Sequence, residues 1–266
     1  MKFKTHAFVA ATLALAAMGA QAHDLWFKPS STVLSKSDWV TVDAAVSNDV
    51  FFFNHRPLGL DAVKVTDPKG APVEMKNVAK GELRSVFDFK PDQTGTYRVT
   101  MLMTGVMGSY KDANGQPKRM RGSVDEVLKQ VPADAKDVRI TENLRRMETF
   151  VSLGKPSALA LTGKGLELKP VTHPNDLVAS EAATFDFVLD GKPAADLEIE
   201  LVADGIRYRD GVNALKFKTD AKGRVVIKFP HPGLFWLNTD TKDNKTSIAK
   251  ATERHLSYIA TLEVLP

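Results

Sequence analysis

The chain contains no cysteine, so no disulfide staples it and no thiolate can act as nucleophile or metal ligand. Catalytic signatures are missing as well: G-x-S-x-G, H-E-x-x-H and the phosphate-binding P-loop do not occur. Carboxylates are scattered through turns at spacings that pair none of them. The acidic turns at Asp190-Gly191 and Asp240 to Asp243 lack the regular spacing of a calcium loop and read as solvated. No two histidines stand at i, i+2 or i, i+4, so there is no local metal motif, and any metal site has to be assembled by the fold. Charge of one sign is also scarce. The formal net charge of the 266 residues is +4, too weak and too evenly spread to argue for nucleic acid as a partner.

Long apolar runs are confined to one place. Residues 1–22 have the three parts of a secretory signal: Lys2 and Lys4, an apolar stretch over residues 7–20, and Ala20-Gln21-Ala22 as the small-x-small pattern read by signal peptidase. The apolar stretch is short for a bilayer span, and no second run of about 20 apolar residues follows. The expectation is a periplasmic protein, cleaved after Ala22, with His23 as its first residue and no transmembrane segment left. Removing Lys2 and Lys4, and no acid, lowers the net charge from +4 to +2.

What remains is patterned for strands. Apolar and polar residues alternate over Trp39 to Val46, Leu83 to Phe89, Tyr97 to Met103, Thr184 to Leu189, Leu197 to Val202, Ala214 to Lys218 and Val225 to Phe229, with a last strand from Ser257 to Leu265. Asp-Pro-Lys-Gly, Asp-Gln-Thr-Gly and Asp-Ala-Lys-Gly turns punctuate them. Val124 to Val131 has helical spacing and ends at Pro132, so a short helix is expected there. Residues 136–153 fit helix or strand, with Met147, Thr149, Val151 and Leu153 favouring strand near the end. A weak repeat relates Phe89 to Val99 with Phe229 to Leu237, each passing through a Pro and Gly turn into an aromatic-bearing strand. The expected fold is mostly β: two tandem Ig-like or carboxypeptidase-regulatory-like sandwiches over residues 23–155 and 166–266, the first with a helical insertion near 124–131.

The stretch Ala22-His23-Asp24-Leu25-Trp26-Phe27-Lys28-Pro29-Ser30, directly after the signal, resembles the opening of a family of uncharacterised bacterial periplasmic proteins, a domain-of-unknown-function family often labelled nickel or cobalt transport-associated. Thr219 to Val225, Pro232 to Leu237 and Tyr258 to Val264 also resemble it, although these later motifs are shared with many carboxypeptidase-regulatory and Cna-B-like sandwiches. The resemblance implies two Ig-like domains and a transition-metal role.

The residues themselves point the same way. Cleavage would put a free α-amine beside an imidazole on His23, and both are available as neutral nitrogen donors near neutral pH. With a second imidazole they would form a three-nitrogen site suited to Cu(II), then to Ni(II) or Co(II). Asp24 could add an oxygen or orient the ring. His55, in the aromatic loop Phe51-Phe52-Phe53-Asn54-His55-Arg56, is the first choice for the second ring, because so apolar a loop carrying Asn, His and Arg is expected to pack at a site. His231, between two prolines in a rigid turn, is a lesser candidate that reads more simply as structural, as does His255 at the start of the last strand, and His173, before Pro174, reads as a loop residue. Met101, Met103 and Met107 could offer thioethers to Cu(I), with Met120 joining them across a hairpin, but they read more simply as core. The leading expectation is a non-enzymatic carrier delivering metal to a membrane transporter or receiving it from an outer-membrane receptor. The alternatives are a metal-free module docking on an envelope partner and, behind it, a copper oxidase using a histidine brace.

Overall fold

A computed structural model describes residues 23–266; the signal expected over residues 1–22 lies outside the described residues. The first half holds β1 (Asp24–Pro29), β2 (Val33–Leu34), β3 (Val40–Ser47), β4 (Arg56–Pro57), β5 (Val63–Thr66), β6 (Pro72–Val73), β7 (Lys76–Lys80), β8 (Ser85–Phe89), β9 (Gly95–Lys111), β10 (Pro117–Gly122), α1 (Val124–Gln130) and β11 (Lys136–Leu153). The second half holds β12 (Leu166–Pro170), β13 (Ala182–Leu189), β14 (Lys192–Pro193), β15 (Glu198–Ala203), β16 (Leu215–Lys218), β17 (Arg224–Lys228), β18 (Gly233–Asp243) and β19 (Glu253–Val264), with a 3-10 turn at Ile206–Tyr208. The expected short helix is present, closed at its start by a capping box between Ser123 and Glu126. Residues 136–153 are strand throughout, and no helix among the described residues is long and apolar enough to cross a membrane.

The two halves share one sheet. Its order is β16-β15-β18-β19-β11-β9-β5-β6, with β10 on β9 and β2 on β11. The joint is a parallel pairing of β11 with β19, from Thr141 opposite Glu253 to Thr149 opposite Thr261. Two smaller sheets cover this long one. The first contains β1, β3, β8, β7 and β4, and the second β12, β13, β14 and β17.

They lie on opposite faces, as the alternation of side chains shows. On β18 and β19, Phe235, Leu237, Leu256, Tyr258, Ala260 and Leu262 pack with Phe185, Phe187 and Ile227 of the second small sheet. The intervening Trp236 and Ile259 pack instead with Phe27, Val42 and Phe87 of the first. Successive side chains on a strand point to opposite faces, so the two covers are staggered on either side of one sheet. Each half is a sandwich, and the strands at the joint are buried on both faces.

The weak repeat marks how the chain passes from cover to shared sheet. β8 leads into β9 and β17 leads into β18, and at each crossing a glycine, Gly95 or Gly233, has a positive φ of 130° or 127°. At Gly95 a Cβ would sit 2.7 Å from the Pro68 ring, so only glycine fits. Tyr97 then locks the first crossing: its hydroxyl accepts from the Asp92 and Gln93 amides at 3.0 and 2.8 Å and donates to the Asp92 carboxylate. This is the tyrosine-corner arrangement of Ig-like sandwiches.

Candidate functional site

The site begins at the first described residue. β1 and β4 flank β3, with Asp24 opposite Ser47 on one side and Arg56 opposite Val46 on the other. His23 and His55, one step further on each flank, therefore meet over the end of β3. Their rings stack with centroids 3.9 Å apart and planes 9° from parallel. Both are exposed. These are the two histidines that the sequence singled out.

Packing beneath them fixes the terminus. Trp26 is fully buried and donates its indole N–H to Ser47 Oγ at 2.7 Å. Phe51 and Phe53 pack on the indole at 5.5 and 5.1 Å. The Arg84 guanidinium lies over Phe53, and Arg207 over Phe52. Asn54 ties the loop together, accepting from the Asn48 amide and donating to Asp49, both at 2.8 Å. Phe51 has φ 60°, an unfavourable setting for a bulky side chain that this packing enforces. The aromatic loop is thus a built element that carries His55 to His23.

The electrostatics favour a neutral ring at His55. Lost hydration, the neighbouring His23 and the charge of Arg56 all lower the pKa of His55. Asp24 is pushed up to about 7, first by burial and then by Glu200 and Asp49, with Arg145 opposing. Glu200 and Arg145 arrive from the shared sheet, a convergence invisible in sequence.

The other candidates are placed elsewhere. His231 lies exposed in the turn between β17 and β18, donating from Nδ1 to the Pro232 carbonyl at 2.8 Å with its ring against Phe235. His173 Nδ1 accepts from the Asn175 amide while Nε2 reaches Thr96 and Ser157, so it pins the segment between the halves. His255 pairs with Asp240 at 3.0 Å. Met101 is buried and Met103 half-buried in the first core, Met120 is buried in a separate cluster under α1, and Met107 is exposed. The acidic turns are not free: Asp190 and Asp243 both bind Arg254, at 2.6 and 2.7 Å. Among the described residues no group of three or more His, Asp or Glu side chains forms a metal-sized cluster.

Beside β1 the shared sheet runs on uncovered. There a cavity of about 300 Å³ is lined by Met103, Met107, Arg121, Asn143, Arg145, His255 and Ser257. Register accounts for the gathering, because Arg145 lies opposite Met103, Arg121 opposite Met107 and Ser257 opposite Arg145. Sequence reading missed both arginines, since they come from different strands of an ordinary charged pattern.

A family model described as "Domain of unknown function (DUF4198)" matches residues 20–243. Among curated proteins none matches the chain. Of solved structures, the D0-D1 domain of Intimin is similar at 13% identity and a TM-score of 0.23, covering 90% of this chain and 97% of that one. The D00-D0 domain of Intimin is similar at 12% identity and a TM-score of 0.20, covering 91% and 100%.

Proposed function

This chain belongs to the family described as a domain of unknown function, DUF4198, and from its own residues we propose that it is an exported, non-enzymatic periplasmic protein that binds a transition-metal ion at its processed N-terminus. The observation that carries this reading is the stacked pair of His23 and His55. Two rings from distant stretches of chain meet at the residue where the export signal would be cut. Cleavage there adds a primary amine to the pair and completes three nitrogen donors, a set that suits Cu(II) first and Ni(II) or Co(II) next.

Stacked rings hold their lone pairs in parallel planes, so the observed orientation is a resting one. Capture of a metal requires the rings to turn about their Cα–Cβ bonds until the nitrogens converge, which exposed side chains can do at little cost. The lowered pKa of His55 keeps its ring in the unprotonated form that a metal needs. The Asp24 carboxyl can give up its proton near neutral pH and then supply an oxygen or orient the His23 ring. Delivery to a membrane transporter, or receipt from an outer-membrane receptor, is the role that fits an exposed site on a small exported carrier.

The test compares processed protein starting at His23 with a chain carrying one extra residue before it. Cu(II), Ni(II) and Co(II) affinities are read by competition with a chromogenic chelator. The extension and His23→Ala are each expected to weaken the preferred metal on the order of 100-fold, and His55→Ala at least about tenfold. Equal affinity with and without the extension overturns the reading.

A further inference from the structure

The uncovered part of the shared sheet presents a second site that does not depend on metal. We propose that the cavity over β9, β10 and β11 binds a small organic dicarboxylate, one carboxylate held by Arg145 and the other by Arg121.

The two bases are placed for a ligand with two ends. Arg145 rises opposite Met103 and Arg121 opposite Met107, from strands on either side of β9. Four residues of strand separate those rows, about 13 Å along β9. Both side chains line the same cavity of about 300 Å³, a volume suited to a small metabolite. Burial first, and then the neighbouring Arg121 guanidinium, lower the pKa of Arg145, opposed by Asp240 and Asp24.

The polar groups between them are donors in search of acceptors. Arg145 gives its Nε–H to Ser257 Oγ at 3.1 Å, and among the described residues its two Nη groups have no protein partner. Ser257 accepts that bond and keeps its own proton to give. Asn143 uses one amide hydrogen on the Thr141 carbonyl and keeps the other. The carboxylates that act on Arg145 are Asp240, which is held by His255 at 3.0 Å, and Asp24, and neither lines the cavity. Like charges brought together without an ion-pair partner cost free energy that an anionic ligand offsets, and a guanidinium fork matches a carboxylate edge.

The floor between the two bases selects the ligand's middle. Met103 and Met107 are apolar, and Met107 is 49% exposed. A carbon chain joining two carboxylates covers these thioethers while its ends reach the bases. Inorganic phosphate has acceptors but nothing to lay on the methionines, and a monocarboxylate leaves one guanidinium unmet.

Isothermal titration calorimetry on processed, metal-stripped protein tests this with glutarate as the probe and butyrate and inorganic phosphate as comparators. Glutarate is expected to bind at least about tenfold more tightly than either comparator. Arg121→Gln, on an exposed strand, should weaken glutarate at least about tenfold, while Lys118→Gln, on the other face of the same strand, should leave it unchanged. Arg145→Lys keeps the charge but loses the fork and should also weaken it. His23→Ala should not alter glutarate binding, which separates this site from the metal reading. Phosphate binding as tightly as glutarate, no glutarate binding at millimolar concentration, or equal affinity in Arg121→Gln each overturns the proposal.

Discussion

Asp24 follows the proposed chelating residue, half-buried near Asp49 and Glu200, and its pKa stands at about 7. A carboxyl whose folded pKa is raised favours the unfolded state once that state ionises, near pH 4. Its destabilising contribution therefore grows as pH rises from about 4 to about 7 and levels off above. A shift of this size corresponds to about 4 kcal/mol at full burial, and to about 1–2 kcal/mol once the remaining contact with water is discounted. Asp24→Asn removes the cost. In chains that keep a residue before His23, so that no ammonium sits beside Asp24, urea unfolding should show Asp24→Asn equal to the parent near pH 4 and more stable by that 1–2 kcal/mol at pH 7.5. A difference that stays constant with pH would contradict the assignment. The same neighbourhood shows what was legible at this scale. His55 could be read because polar residues inside an apolar loop are unusual. Glu200 and Arg145 could not, because nothing local distinguishes a strand residue that happens to face the terminus.

Among the elements, the clean alternations of β3, β8, β13, β15 and β17 were readable and lie where one face packs on a core. β1 escaped notice and β11 was left between helix and strand, for one shared reason. In β11 every residue from Arg146 to Leu153 is buried, and in β1 Leu25, Trp26 and Phe27 are all buried. A strand covered on both faces loses the period of two that identifies it. Such a strand also carries polar groups into the interior, where they must find partners. Arg146 Nη1 lies 3.3 Å from Glu148 and Nη2 3.5 Å from Glu167, with all three side chains at most 8% exposed. Tyr258 donates to the same Glu148 from β19 at 3.0 Å. Removing Arg146 takes the ion pair from buried Glu167 and leaves Glu148 with Arg98 at 3.8 Å, so Arg146→Leu is expected to cost about 3–5 kcal/mol. Breaking the exposed pair Lys218–Asp196 by Lys218→Ala should cost under about 1 kcal/mol. Chemical denaturation of the two variants reads the contrast, and a loss under 1 kcal/mol in Arg146→Leu would mean that the cluster at the joint is not holding it.

At the level of the whole molecule, two sandwiches could be inferred from the turns and the repeat, but the sheet they share could not. Parallel pairing of β11 with β19 joins strands far apart in sequence, and no local pattern announces it. The consequence is energetic as well as topological. The first core takes Val202, Ile206, Trp236 and Ile259 from the second half, and the Trp236 indole donates to the Leu25 carbonyl at 3.0 Å. Thr261 donates to the Phe27 carbonyl from the same side. A chain ending at residue 155 would leave β11 as a long bare edge over an incomplete core, a surface prone to aggregation. The proposed metal terminus would go with it, since β1 is anchored by those same contacts from β18 and β19. Residues 23–155 alone are therefore expected to be insoluble or to give a collapsed NMR spectrum. The full processed chain should unfold in one calorimetric transition, with the ratio of van 't Hoff to calorimetric enthalpy near one. Two resolved transitions, or a well-dispersed spectrum from residues 23–155, would show that each sandwich is self-sufficient and that the shared sheet is only a seam. A single transition ties the terminus, the uncovered arginines and the joint into one cooperative unit, so destabilising Arg146→Leu should lower the apparent affinity at both proposed sites once a large fraction of the protein is unfolded, and at neither while it remains folded.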